Sequence, residues 1–270
     1  MSRPPRAPLK VFISGASSGI GRALASHYAG TGALLGLAAR RGDELTALAG
    51  QLHRSGYDAA KMVACYPLDV TDAAALRCAA EDYIARFGAP DIVIANAGVS
   101  SGTLSECAED LAAIRRIFDI NVYGMAATFS PFIATLRAAA RTGNAGRLVG
   151  IASVAGIRGL PGAGAYSASK AAATVYLESL RLELRDSGVK VVTIAPGYIA
   201  TPMTAINPYP MPFLLPADEA ARRFARTIER GTSYTVIPWQ MGLVAKLLRI
   251  LPNALYDRLF AHAPRKPRVL

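Results

Sequence analysis

Three side chains in the second half of the chain have types and spacings suited to proton chemistry: Ser153, at the end of Ile151-Ala152-Ser153, and Tyr166 and Lys170, in Tyr166-Ser167-Ala168-Ser169-Lys170. On a helix, positions i and i+4 share a face, so Lys170 stands one turn from Tyr166. Its ammonium can then lower a phenol pKa that begins near ~10. A tyrosine tuned in this way trades protons near neutrality.

A second constellation lies near the start, in Ser14-Gly15-Ala16-Ser17-Ser18-Gly19-Ile20-Gly21, between an apolar run and a helix-forming stretch. Glycines here permit a tight turn and close backbone approach to a pyrophosphate, while the helix start offers unpaired N–H groups and a partial positive charge. The spacing Gly-x-x-x-Gly-x-Gly lacks the Gly-Lys-Ser/Thr ending of a nucleotide-hydrolysing loop and favours a dinucleotide. A plain turn of small residues is the alternative. Ribose specificity is read at the end of the second strand, where this chain has Ala38-Ala39-Arg40-Arg41 and no acid before Asp43. Two guanidiniums suit a 2′-phosphate, so NADP(H) is expected over NAD(H). Two solvated surface arginines would be the bland reading.

The elements that must hold these groups follow from hydrophobic pattern. Apolar runs at Leu9–Ser14, Ala33–Ala39, Met62–Tyr66, Asp91–Ala95, Gly146–Ala152, Lys190–Ala195 and Tyr234–Pro238 read as buried parallel strands. Helical patterns at Ile20–Tyr28, Asp43–Arg54, Ala73–Phe87, Leu111–Arg137, Ala165–Arg185 and Asp218–Glu229 supply the crossovers. This alternation predicts an α/β fold: a doubly wound, Rossmann-like parallel sheet of seven strands with helices on both faces, in a single domain over 1–238.

Composition narrows the function classes. The chain has 270 residues, 52% hydrophobic and 18% charged, as expected of a globular domain. Cys65, Cys78 and Cys107 show no paired spacing, so neither a disulfide framework nor a metal site is expected. No apolar run is long enough to span a bilayer, and the Pro/Arg-rich start does not look like a signal sequence, so the cytoplasm is the expected compartment. The net charge of +11 concentrates in the tails, with +3 in residues 1–10 and +5 in residues 239–270. The body lacks a basic run interleaved with aromatics, which argues against nucleic-acid binding.

Taken together, the motifs resemble the short-chain dehydrogenase/reductase family, in its subgroup of about 250 residues with Tyr-x-x-x-Lys. The resemblance rests on Gly15-x-x-x-Gly19-x-Gly21, Asp69, Asn96-Ala97-Gly98, Asn121, Ser153, Tyr166-x-x-x-Lys170 and Pro196-Gly197-Tyr198-Ile199-Ala200-Thr201. Ser14 and Ala95 depart from it, standing where threonine and asparagine are usual. It implies a carbonyl/alcohol oxidoreductase. Tyr166 would be the acid/base, Ser153 would hold the carbonyl oxygen, Lys170 would bind the nicotinamide ribose, and Asn121 would support a water relay. It also implies that Asp69 and Val70 meet the adenine, that Asn96, Ala97 and Gly98 run along the cofactor, and that Pro196, Gly197, Ile199 and Thr201 surround nicotinamide and pyrophosphate. Plainer roles stay open: Asn121 as a helix-bending residue, Asp69 as a helix cap, Pro196-Gly197 as a turn.

The substrate should lie beyond the carboxyl ends of the strands. There Val154–Ala165 and Tyr198–Pro216 are apolar and few in charges; Ile157, Tyr198 and Met203 are the expected contacts beside Ser153 and Tyr166, and the expected substrate is an apolar or amphipathic ketone or aldehyde. Reduction of a carrier-bound β-ketoacyl group, with Arg158 and the basic tail attracting an acidic carrier, is an alternative. A non-catalytic dinucleotide sensor or scaffold is another. In the 239–270 extension, Leu243, Val244, Leu247, Leu248 and Leu251 form a stripe with Lys246 and Arg249 between them, continued by Leu255, Leu259 and Phe260. It suits packing on the domain or on a partner in a homodimer or homotetramer, with an anionic membrane surface as the competing site.

Overall fold

A computed structural model describes residues 7–269. Much of the basic N-terminal stretch singled out by its charge therefore lies outside the described residues. The elements in chain order are β1 (Lys10–Ser14), α1 (Gly19–Ala29), β2 (Leu34–Ala39), α2 (Gly42–Arg54), α3 (Ala59–Met62), β3 (Val63–Pro67), α4 (Ala73–Phe87) and β4 (Ile92–Ala95). Then come α5 (Asp110–Phe118), a π-helical turn (Asp119–Tyr123), α6 (Gly124–Arg141), β5 (Arg147–Ile151), α7 (Gly164–Glu183), β6 (Lys190–Pro196), β7 (Ile199–Ala200) and α8 (Pro202–Ala205). The chain finishes with β8 (Leu215–Pro216), α9 (Ala217–Arg230), β9 (Tyr234–Ile237), α10 (Trp239–Ile250) and α11 (Asn253–Phe260).

Seven strands form one parallel sheet in the order β3-β2-β1-β4-β5-β6-β9, and β7 pairs with β8 in a small separate sheet. Every predicted strand is present to within a residue or so at each end. Their continuous apolar runs have the cause inferred from sequence: helices cover both faces. Leu24, Leu45, Leu48, Phe224 and Ile228 bury one face beneath α1, α2 and α9. Tyr83, Phe129, Phe132, Leu136 and Leu177 bury the other beneath α4, α6 and α7. Each fully buried side chain of this size is worth about 1.5–3 kcal/mol. Packing against the sheet is close enough that a Cβ on Gly36 would stand 2.5 Å from the Tyr83 ring.

The strand order reverses direction between β1 and β4, whose register sets Ser14 beside Ala95. At such a switch point the two following loops diverge and open a crevice at the carboxyl edge. The helix expected over Leu111–Arg137 runs from Asp110 to Arg141, with the π-helical turn in its middle. The turn lets Asn121 point inward to the backbone of Val99, and it brings Gly124 so near Val70 that a Cβ there would stand 2.7 Å from the valine. By length and composition this helix could cross a membrane, yet Phe129, Phe132 and Leu136 are part of the core.

The C-terminal stripe does not turn inward as a unit. Met241, Ala245 and Tyr256 face the domain, whereas Leu243, Leu247, Leu255 and Leu259 are exposed. The inward face is fixed by polar anchors outside the stripe. Arg158 donates to the carbonyls of Leu248 and Leu251 and to Asn253, and it stacks on Tyr256, 3.9 Å from the ring centre. Tyr256 in turn donates to the Gly159 carbonyl at 2.6 Å.

Candidate active site

The turn after β1 is built around its glycines. Gly15 has φ +70°, and a Cβ on it would stand 2.7 Å from the Ala97 backbone; on Gly21 it would collide with the Gly15 carbonyl. Asn96 stitches the two loops of the crevice together, its amide donating to the carbonyls of Ser14 and Gly15 at 3.2 and 3.0 Å. Ser14, where the family usually has threonine, makes only long hydroxyl contacts, at 3.4 and 3.5 Å. Ser18 precedes α1 in an extended conformation with no side-chain capping bond. The first N–H groups of α1 therefore have no side-chain acceptor and face the crevice.

The crevice is a cleft of about 510 Å³. Along its walls lie Gly15, Ser17, Ser18, Gly19, Ile20, Arg40, Arg41, Asp69, Val70, Asn96, Ala97 and Gly98 on one side, and Ser153, Tyr166, Lys170, Pro196, Gly197, Ile199, Thr201 and Met203 on the other. Of the expected cofactor residues only Gly21 is behind the wall, where it lets the turn close. Arg41 donates to the Ser17 hydroxyl at 3.1 Å, which sets its guanidinium beside the turn. Arg40 is directed to Asp69 at 3.9 Å. Asp69 accepts from the Thr71 backbone and hydroxyl, and it is Asp72 that caps α4.

At the other end of the cleft, β5 and α7 bring the catalytic candidates together. Ser153 is buried, and its oxygen accepts from the Ala155 N–H at 3.2 Å. The Lys170 Nζ donates to the Ile151 carbonyl at 2.8 Å and stands 5.9 Å from the centre of the Tyr166 ring. Burial without a counter-charge lowers its pKa to about 8. Burial also raises the Tyr166 phenol above its ordinary value, opposed by hydrogen bonding to Ser153. This differs from the sequence expectation, which had Lys170 depressing Tyr166: here the ammonium is bound to a backbone carbonyl, and desolvation dominates.

Asn121 is fully buried. Its oxygen accepts from Val99 N–H at 2.9 Å, and its amide donates to the Val99 carbonyl and to Ser169 Oγ, each at 3.0 Å. Ser169 passes the link to the Tyr166 carbonyl at 2.8 Å. Asn121 thus ties the loop after β4 to the start of α7. A Cβ on Gly98 would stand 3.2 Å from Asn121 Oδ1 and 3.5 Å from Lys170 Nζ, so glycine keeps the gap between these two atoms open.

Two expected substrate contacts are not in the cleft. Tyr198 packs edge-on against Tyr209, with ring centres 6.5 Å apart, while its neighbour Ile199 lines the cleft. Ile157 uses its carbonyl to accept from Arg249, as part of the junction with α10. Arg158, the conspicuous charge of this region, is likewise committed to the C-terminal helices. Val99, Ser169 and Lys266 take part although sequence reasoning did not select them for the site; the first two are generic in type, and the third lies 100 positions from Tyr166. Among the described residues, no cluster of side chains could hold a metal ion.

The chain matches the description "short chain dehydrogenase" over residues 10–208. It is 40% identical over 248 residues to an uncharacterized oxidoreductase of Myxococcus xanthus, covering 91% of this chain and 94% of that one. A short chain dehydrogenase/reductase from Burkholderia phymatum in complex with NAD shares the fold with a TM-score of 0.79 at 24% identity, covering 97% of this chain and 98% of that one. A short chain dehydrogenase from Burkholderia cenocepacia in complex with NADP gives 0.78 at 25%, covering 95% and 98%. A sheet that reverses at β1 and β4, a glycine turn under α1 and a Ser153–Tyr166–Lys170 set facing one cleft thus coincide with agreement along most of the sequence, and the chain belongs to the short-chain dehydrogenase family of oxidoreductases.

Proposed function

We propose that the protein is an NADP(H)-dependent oxidoreductase that interconverts a ketone or aldehyde and an alcohol, with Tyr166 as the general acid/base. The observation that carries this reading is that one cleft joins Ser153, Tyr166 and Lys170 at one end to Arg41 and Ser17 at the other. The residues present fit a nicotinamide dinucleotide. Gly15 and Gly21 let the turn close tightly against Ala97 and upon itself, and the start of α1 so placed offers N–H groups to a pyrophosphate. The related structures hold NAD in one case and NADP in the other. The preference therefore rests on Arg41, whose guanidinium beside Ser17 suits a 2′-phosphate.

The bound dinucleotide supplies the hydride. In the reducing direction, Tyr166 gives its phenolic proton to the carbonyl oxygen. Ser153 accepts from Ala155 N–H, and its own O–H, directed to Tyr166 in this structure, would turn to donate to the substrate oxygen and steady developing charge. Lys170 keeps two N–H groups beyond the one on Ile151, suited to ribose hydroxyls. Met203, exposed on the wall of the cleft, gives it an apolar side chain beyond the catalytic set, which supports an amphipathic substrate. Reduction of carrier-bound acyl groups loses one support, because Arg158 is occupied by α10 and Tyr256. Tyr166→Phe tests the reading: NADPH should still bind, by fluorescence titration, while oxidation of NADPH with a panel of ketones and aldehydes falls by at least a thousandfold. Undiminished turnover in that variant would refute it.

A further inference from the structure

The last described residues, 266–269, form a strap bound to the loop after β4 and the start of α5, next to Tyr166. The Gly102 N–H donates to the Pro267 carbonyl at 2.8 Å, and the Val269 N–H donates to Ser101 Oγ at 2.9 Å. Arg268 grips Asp110 at 2.8 Å, and the carboxylate, only 9% exposed, also accepts from the Leu104 N–H. The Leu104 N–H, and then the Arg268 guanidinium, hold the Asp110 carboxyl below its usual range. Gly102 has no alternative here, since a Cβ would collide with the Lys266 carbonyl. The strap is therefore fixed at three points to the loop after β4 and the start of α5.

Its path delivers one side chain to the reaction centre. Lys266 Nζ stands 5.8 Å from the centre of the Tyr166 ring, as near as Lys170 does. Lys266 is partly buried, makes no ion pair among the described residues, and donates none of the hydrogen bonds found there. Asp110, on the same loop, is taken by Arg268. The Ser100 hydroxyl, on the loop that carries the strap, is buried without a partner. A partly desolvated ammonium with no anion beside it is better placed to receive a negatively charged ligand group than a fully hydrated one.

We propose that Lys266 is a specificity-determining residue that receives a carboxylate of the substrate, so that the preferred substrate is an oxo acid whose carbonyl lies at Tyr166 and whose carboxylate lies at the strap. This deepens the carbonyl-reductase reading and rests on it: the amphipathic substrate acquires a defined charged end. Burial lowers the Lys266 pKa, the direction that an unpaired ammonium must show and that a bound carboxylate would reverse.

The test compares levulinate and longer methyl-ketone acids with their methyl esters, using NADPH and the full chain. Wild type should favour the best acid over its ester in kcat/KM by at least tenfold. Lys266→Gln should erase that preference, chiefly through KM for the acid, with the ester changed less than threefold; Lys266→Arg should restore much of it. Hexanoate should inhibit wild type more strongly than hexanamide, and Lys266→Gln should abolish the difference. NADPH affinity, measured by fluorescence, should be equal in all three proteins, which shows that each is folded. Equal turnover of acids and esters by wild type, or a preference that survives Lys266→Gln, overturns the role of Lys266 while leaving the reductase reading intact. Failure to reduce any carbonyl compound, despite NADPH binding, overturns the underlying reading.

Discussion

Lys170→Met should make this protein more stable while removing its activity. Lys170 is buried, and its pKa falls from 10.5 to about 8 because no anion offsets its desolvation. At about 1.4 kcal/mol per pKa unit, keeping the ammonium in the fold costs roughly 3 kcal/mol at pH 7. Its bond to the Ile151 carbonyl returns about 1 kcal/mol, which methionine would forfeit. The variant should therefore gain about 2 kcal/mol, a rise in melting temperature of roughly 4–8 °C for a chain of this size. The pH dependence has a definite sign. Between about 8 and 10.5 the unfolded chain holds the lysine proton and the folded chain has released it. Wild-type stability from this group therefore rises with pH through that window, and the advantage of the variant shrinks as it does. Urea denaturation of both proteins without dinucleotide, at pH 7 and about pH 10, checks this; the difference between proteins cancels the tyrosines that titrate there. A variant less stable than wild type at pH 7, or a stability gap unchanged between the two pH values, would refute the reasoning.

Arg41→Ala should raise KM for NADPH by roughly ten- to a hundredfold and leave KM for NADH within about threefold, since a charge-assisted bond to phosphate is worth about 1.5–3 kcal/mol; steady-state kinetics with both dinucleotides decides it. Gly21→Ala forces a Cβ into the Gly15 carbonyl, so dinucleotide binding should be lost and the melting temperature should fall, by fluorescence titration and calorimetry. On α10, Leu243, Leu247 and Ile250 face outward, the last 77% exposed, with Lys246 and Arg249 among them. Two copies of this face would oppose like charges, whereas an anionic bilayer complements them, so the full chain should float with phosphatidylserine vesicles and not with phosphatidylcholine alone. Loss of flotation in a variant with Leu243, Leu247 and Ile250 changed to serine would tie it to this face; no flotation with either lipid would exclude it.

What the residues state by themselves is local. Continuous Val/Ile/Leu runs mark a sheet covered on both faces, because a residue on a strand flanked by two helix layers has no polar surroundings on either side. Gly15 and Gly21 mark a backbone that must approach another backbone, and the four-residue step from Tyr166 to Lys170 places two groups on one face wherever that helix lies. These features follow from periodicity and steric shape, which a short stretch of sequence carries in full. Only the folded chain decided the rest. That Asn121 is bound to Val99 and Ser169, that Arg158 is consumed by the ends of α10, and that Met241 and Ala245 rather than the leucine stripe face inward depend on where distant segments meet. Lys266 is the sharpest case: in sequence it is one basic residue in a basic tail, and it reaches Tyr166 because Arg268, Pro267 and Val269 fasten that tail to the loop after β4. Pairings between segments 100 residues apart are set by the packed positions of their backbones, and no local pattern contains them.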